Sequence, residues 1–201
     1  NAKYTDEVIE NVDSYDFTSS YPYVMVSEKF PMSTGVIVPI KSMKQFEFMT
    51  SKFCCVFDVE ITNIFAKSEN ENPLSVSKCF VKENVSENNG RLVCAKKICM
   101  TITEIDYKVF SQFYTWEQIR IGRMICYRKE YLPTEFVESI LHLYEMKTKL
   151  KGVKGKEVEY LNSKEMLNSC YGMCVTNPLR DEILCDGENW DVEHLTGEKQ
   201  L

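Results

Sequence analysis

An α+β fold is the expectation for this chain of 201 residues. Two patterns carry that expectation. Residues Phe53 to Ile61 alternate, with Cys55, Phe57, Val59 and Ile61 on one face and Asp58 and Glu60 on the other. A period of two is the mark of a strand with one buried face. Further along, Pro133 opens a stretch in which Phe136, Val137, Ile140, Leu141 and Tyr144 fall on one helical side. Gly152 and Gly155 then mark a loop, and a second helical stretch runs from about Glu157 to Met173. Strands through the middle, followed by an antiparallel helical hairpin with a lysine-rich tip, define the class.

The remaining elements follow in order. Val8 to Tyr15 reads as a strand leading into Asp16, and a carboxylate at a strand end is well placed to face a cleft. Ser20 to Lys29 reads as a short helix closed off by Pro31. Lys67 to Asn72 is polar, ends at Pro73 and reads as a turn. Leu74 to Val81 and Arg91 to Cys99 are further strand candidates, joined through Asn88-Asn89-Gly90. Thr103 with Asp106 three residues on predicts a helix start, continued by Ile105, Val109 and Phe113. Glu117 to Arg128 mixes β-branched and basic residues and predicts another strand. After Pro178 the pattern fades into an acidic tail with little core. The chain holds no internal repeat and no low-complexity tract.

Composition narrows the function classes. Hydrophobic residues make up 44% of the chain, as in a globular protein, and no apolar run approaches the length of a membrane span. Nine cysteines lack the spacing of a zinc site, and only His142 and His194 offer imidazoles. Reduced, mostly buried thiols in a cytoplasmic protein are the expectation. The net charge of −6 argues against a nucleic-acid partner at first. Its distribution points the other way, because Arg120 to Lys156 holds nine Lys and Arg against four Glu. A solvated helical face is the plain alternative for that basic run.

Two short strings carry chemistry. In Asp16-Phe-Thr-Ser-Ser-Tyr-Pro22 a hard carboxylate suits Mg²⁺, while Ser19 and Ser20 offer hydroxyls and amides to phosphate oxygens. Tyr21 sets a bulky ring beside them. Taken alone, Asp16 is equally a turn residue or a helix cap. In Lys164-Glu-Met-Leu-Asn-Ser-Cys-Tyr-Gly172, offsets of four and three place Lys164, Asn168 and Tyr171 on one helix face. That face offers a point charge for phosphate, an amide for sugar or phosphate and a ring for a base pair. An ordinary amphipathic helix is the alternative for the triplet alone.

Taken together and in order, Asp-x2-Ser-x-Tyr-Pro and Lys-x3-Asn-Ser-x-Tyr-Gly resemble motifs A and B of the family B DNA polymerases. The resemblance covers about residues 8 to 178. The long separation between Asp16 and Lys164 is similar to the protein-primed branch of phages and linear plasmids. Those enzymes carry a β-rich insert, terminal protein region 1, between the motifs. The resemblance implies a partial palm at residues 1–50, the β-rich insert at 51–100 and a palm return segment at 101–132. A fingers helical hairpin follows at 133–178, and an acidic tail at 179–201. It also implies template-directed addition of deoxynucleotides to a primer hydroxyl. Expected partners are primer-template DNA, a dNTP and a terminal protein, in the cytoplasm of a bacterial host.

Residue by residue, the resemblance makes Asp16 the catalytic ligand of Mg²⁺, with the Phe17 carbonyl beside it. It places Ser19 and Ser20 at the triphosphate and makes Tyr21 the ring that excludes a ribose 2′-hydroxyl. Lys164 and Asn168 would meet the incoming nucleotide, and Tyr171 the nascent base pair. A further phosphate-binding lysine fits Lys147 best, with Lys151 as second choice. Ser20 departs from the family, which commonly has leucine there. The downstream Asp-Thr-Asp motif is absent, so this piece alone is expected to be catalytically inactive. Two other readings stay open at this point. One is a module that docks the terminal protein through the insert, and the other is a cellular-type polymerase with an unrelated insertion.

Overall fold

The computed structural model describes residues 13–68, 72–176, 181–186 and 189–194. The chain divides into two compact units, each drawn from separated stretches. The first holds residues 13–16 and 28–132, and the second holds Phe17–Ser27 with the chain from Pro133 onward. Mixed helices and strands match the expected α+β class.

The first unit is a sheet covered on one face. Its long strands are β3 (Cys54–Ala66), β6 (Arg91–Thr103) and β7 (Tyr114–Tyr127). β3 lies at the centre, antiparallel to both β6 and β7. Short β2 (Val36–Val38) extends the β7 side. On the other side, β4 (Val81–Glu83) and β5 (Ser86–Asn88) pair with β6. The two-residue β1 (Phe30–Pro31) pairs separately with β8 (Lys129–Glu130).

The expected alternation holds: Cys55, Phe57, Val59 and Ile61 are all buried. They pack with Ile98, Met100 and Ile102 of β6 and Met124 of β7 in one core. Helices α2 (Met43–Lys52) and α3 (Glu104–Phe113) contribute Phe46 and Phe110 to the same core. The Phe46 ring meets Phe57 and Tyr107 edge-on, each at 5.0 Å between centroids, an arrangement favoured by the ring quadrupole. The opposite sheet face carries polar pairs. Thr101 donates to Asp58 at 2.6 Å, and Lys97 meets Glu60 at 2.8 Å.

Local sequence explains the joints. Thr103 and Asp106 form a complete capping box at the start of α3, as their spacing predicts. Asn89 and Gly90 both take positive φ, 50° and 72°, the turn that suits a two-residue hairpin. That hairpin joins β5 to β6. At Gly122 the register of β7 against β3 shifts, and an added Cβ would lie 3.1 Å from the Asp58 Cβ. Glu104 is buried, accepts the Cys55 N–H at 2.8 Å and pairs with Lys129 at 3.4 Å.

Several expectations need correction. Leu74 to Val81 is not a strand but an arch with a 3-10 turn at Val76–Lys78. Its serines turn the backbone: Lys78 donates to the Ser75 carbonyl, and the Ser75 and Ser77 hydroxyls bond each other at 2.9 Å. Leu74, Val76 and Cys79 still enter the core. The expected boundary at residue 100 falls inside β6, and β7 pairs with β3 along nearly its whole length. The sheet therefore spans the expected insert and the expected return segment. Of the expected strand at Val8 to Tyr15, residues 8–12 lie outside the described residues and 13–15 have no regular structure. In the expected turn at 67–72, residues 69–71 lie outside the described residues.

The second unit is helical. Helix α4 (Thr134–Leu150) and helix α5 (Glu157–Val175) pack together, and α1 (Ser20–Ser27) packs on both. Gly152 and Gly155, at φ of 76° and 79°, allow the short connection between them. Ile140, Ser163 and Leu167 are buried, while Leu141 and Tyr144 are half exposed or nearly so. The expected acidic tail instead contains a hairpin, β9 (Asp181–Asp186) against β10 (Asn189–His194). Ile183 pairs with Val192 and Cys185 with Trp190, an alternation hidden among acidic residues.

Candidate nucleotide site

Asp16 is exposed, in a segment without regular structure, and no hydrogen bond or ion pair among the described residues engages it. The Phe17 ring beside it is 87% exposed. A turn at Thr18 and Ser19 leads directly into α1. Ser19 takes a φ of 54°, rare for a residue with a Cβ. Its carbonyl accepts the Tyr23 N–H at 3.0 Å, so the left-handed turn also starts the helix.

That turn sets the Ser19 hydroxyl against α4. Lys147 donates to Ser19 Oγ at 2.6 Å, across 128 positions of sequence. The same ammonium stands 5.6 Å from the centroid of the Tyr144 ring, within cation–π reach. Lys147 is half-buried, whereas Lys151, the second choice from sequence, caps α4 and is exposed. The geometry thus favours Lys147 over Lys151 as the lysine joined to the Ser19 turn.

One turn along, Tyr21 stacks on Tyr171 of α5, with centroids 4.1 Å apart and an interplanar angle of 15°. Lys164 and Asn168 lie on the same helix and are exposed, as is Ser20. The structure therefore joins Ser19 to Lys147 and Tyr21 to Tyr171 within the helical unit. It brings no described residue into a hydrogen bond with Lys164 or Asn168.

Beside these contacts lies a largely apolar pocket of about 240 Å³ between α1 and α4. Thr18, Pro22, Tyr23, Val26 and Ile140 line it with Ser19 and Tyr144. Sequence reasoning did not single out Thr18, Tyr23 or Val26. The spacing of Pro22 and Val26 by four is the one signal that marks them as a shared helix face. Among the described residues, no three His, Cys, Asp or Glu side chains gather into a metal-binding cluster. No helix among them is long and apolar enough to cross a membrane.

The helical unit thus brings together a serine turn, a lysine held against it and two stacked tyrosines. Residues 1–200 match the family model of DNA polymerase type B, organellar and viral, and the chain belongs to that family. Comparison with curated proteins finds no match. Among solved structures, the chain is similar to Phi29 DNA polymerase complexed with primer-template DNA and incoming nucleotide substrates. There the TM-score is 0.65 at 14% identity, covering 88% of this chain and 29% of the other. The orthorhombic crystal form of Phi29 DNA polymerase gives a TM-score of 0.63 at 14% identity, covering 92% and 31%. The chain thus spans less than a third of the polymerases it matches.

Proposed function

We infer that this chain is the motif A to motif B portion of a DNA-directed DNA polymerase of the protein-primed branch. The observation that carries the reading is the 2.6 Å bond from Lys147 to Ser19. It links the first motif to the helix preceding the second, in the family to which the chain belongs. Residues 28–132 would hold the palm segment and the insert that meets a terminal protein, and the helical hairpin would be the fingers.

In this reading Ser19, Ser20 and Lys147 receive the triphosphate of a dNTP, with Lys164 and Asn168 on the neighbouring helix face. A half-buried ammonium attracts phosphate more strongly than a fully solvated one. Tyr21 shapes the sugar subsite, leaving no room for a 2′-hydroxyl, and Tyr171 packs beside the nascent base pair. Because the two rings are stacked on each other, nucleotide entry would require their separation.

The exposed, unengaged Asp16 carboxylate and the adjoining Phe17 carbonyl are hard oxygen donors, which fit Mg²⁺. One carboxylate with substrate phosphates and waters is an ordinary Mg²⁺ environment. Bound there, the ion would neutralise charge on the transferring phosphoryl group. The chain alone carries one motif carboxylate of the expected pair, so it is expected to be inactive in isolation. Docking of a terminal protein by the sheet unit remains part of the same proposal and not a rival to it.

Tyr21→Val in the intact parent polymerase tests the sugar subsite. The expected outcome is new ribonucleotide incorporation with deoxynucleotide incorporation retained. Unaltered discrimination against ribonucleotides would remove Tyr21 from that role.

A further inference from the structure

Two buried thiols face each other inside the sheet unit. Cys55 of β3 and Cys126 of β7 are direct partners in the strand register, so their side chains share one face. Their sulfurs stand 3.7 Å apart. No other two thiols among the described residues touch in this way. The Cys55 N–H donates to the Glu104 carboxylate at 2.8 Å and not to β7. The pair is therefore of the non-hydrogen-bonded kind, in which opposite Cα atoms approach to about 4.5 Å. That separation lies within the range a disulfide spans, about 4.4 to 6.8 Å.

Burial usually makes a thiol inert, and Cys55 and Cys126 are only 1% and 5% exposed. Their place in the sheet offsets that protection. Cys55 is the second residue of β3, and Cys126 is the last but one of β7. Strand ends open locally at lower cost than strand centres, so a small oxidant reaches the pair without unfolding of the sheet. Bringing the sulfurs to bonding distance takes a movement of about 1.7 Å, which side-chain rotation supplies while the strands stay paired.

We propose that Cys55 and Cys126 form a reversible oxidation site, closed to a cross-strand disulfide by a small hydroperoxide. The Cys126 sulfur, the more exposed of the two, attacks one peroxide oxygen. The O–O bond breaks, the thiol proton passes to the leaving oxygen, and a sulfenic acid remains on Cys126. The Cys55 sulfur then attacks that sulfur. The S–S bond forms, the S–O bond breaks, and the hydroxyl leaves as water with the Cys55 proton. Two electrons pass from the thiols to the peroxide. The bond staples the start of β3 to the end of β7, 71 positions apart. The site is separate from the nucleotide chemistry proposed above and does not depend on it.

Hydrogen peroxide is the probe. The reduced chain, folded and dilute, is treated with it, the remaining thiols are alkylated, and an unreduced digest is mapped by mass spectrometry. The expected result is one dominant intrachain cross-link, Cys55 to Cys126, which dithiothreitol removes. The urea midpoint of the oxidised chain is expected to rise by about 1 M and to return on reduction. Cys126→Ala is expected to abolish that response to peroxide. Absence of the Cys55–Cys126 peptide from the wild-type digest overturns the proposal, and this arm does not depend on the variant folding. A scatter of pairings with no preference for these two thiols overturns it as well, as does an undiminished midpoint response in Cys126→Ala.

Discussion

Lys147 illustrates how much a single side chain depends on its surroundings. Its ammonium is held by a serine hydroxyl and faces an aromatic ring. Among the described residues, no carboxylate pairs with this ammonium. On the proposed reading, a phosphate replaces the hydroxyl and gains a charge-assisted bond of about 2 kcal/mol. In the intact parent, Lys147→Ala is expected to lower kcat/KM for dNTP by about 10- to 100-fold, chiefly through KM. Steady-state incorporation kinetics check this, and an unchanged KM would detach Lys147 from the triphosphate. The family was legible in the motif strings, because their order and spacing are specific. The choice between Lys147 and Lys151 was not, since it turns on the left-handed Ser19 and a contact across the whole chain. The Tyr21–Tyr171 stack was likewise outside the reach of local pattern.

At the level of elements, physical signals and outcomes matched where the signal was local. The capping box at Thr103, the positive-φ turn at Asn89-Gly90 and the alternation of β3 each depend on neighbours within a few residues. The arch at 74–81 misled because apolar residues at alternate positions also suit a loop folded under a sheet. Ser75 and Ser77 supply the competing backbone bonds there. The β9–β10 hairpin was hidden by acidic composition, which says little about pairing. Glu104 was also unmarked in sequence, although it ties α3 to β3 and to Lys129. Removing it leaves the Cys55 N–H and a partly buried ammonium without their carboxylate. Glu104→Ala is expected to destabilise the sheet unit by about 3 kcal/mol, measured by urea unfolding. A loss below 1 kcal/mol would mean that the pair behaves as a surface contact.

Across the whole molecule, the units are discontinuous in sequence. Residues of motif A split between them, with Asp16 assigned to the sheet unit and Phe17–Ser27 to the helical unit. Sequence reading divides a chain at linear boundaries, so it set one at residue 100, which falls inside β6. Only long-range pairing reveals otherwise. The sheet unit also buries many thiols, and burial pushes Cys54, Cys55, Cys79, Cys99 and Cys126 above the ordinary cysteine value of 9.0. Above that value the unfolded chain sheds thiol protons that the folded chain keeps. The folded state then binds more protons, so stability falls as pH rises. Urea midpoints are expected to hold below pH 9 and to decline above it. Cys55→Ala with Cys126→Ala should flatten part of that decline, and an unchanged slope would show that these thiols are not its source.

The catalytic step of the proposed function requires Asp16 as the metal-binding carboxylate of the first motif. The decisive measurement compares the intact parent with its Asp16→Asn variant, following deoxynucleotide incorporation on a primed template with Mg²⁺. Asparagine keeps the size and removes the charge, so folding should persist. A fall in incorporation of about 100-fold or more, with primer-template binding retained, is the predicted result. Incorporation at the parent's rate would contradict the assignment of Asp16 and with it the reading of this string as motif A.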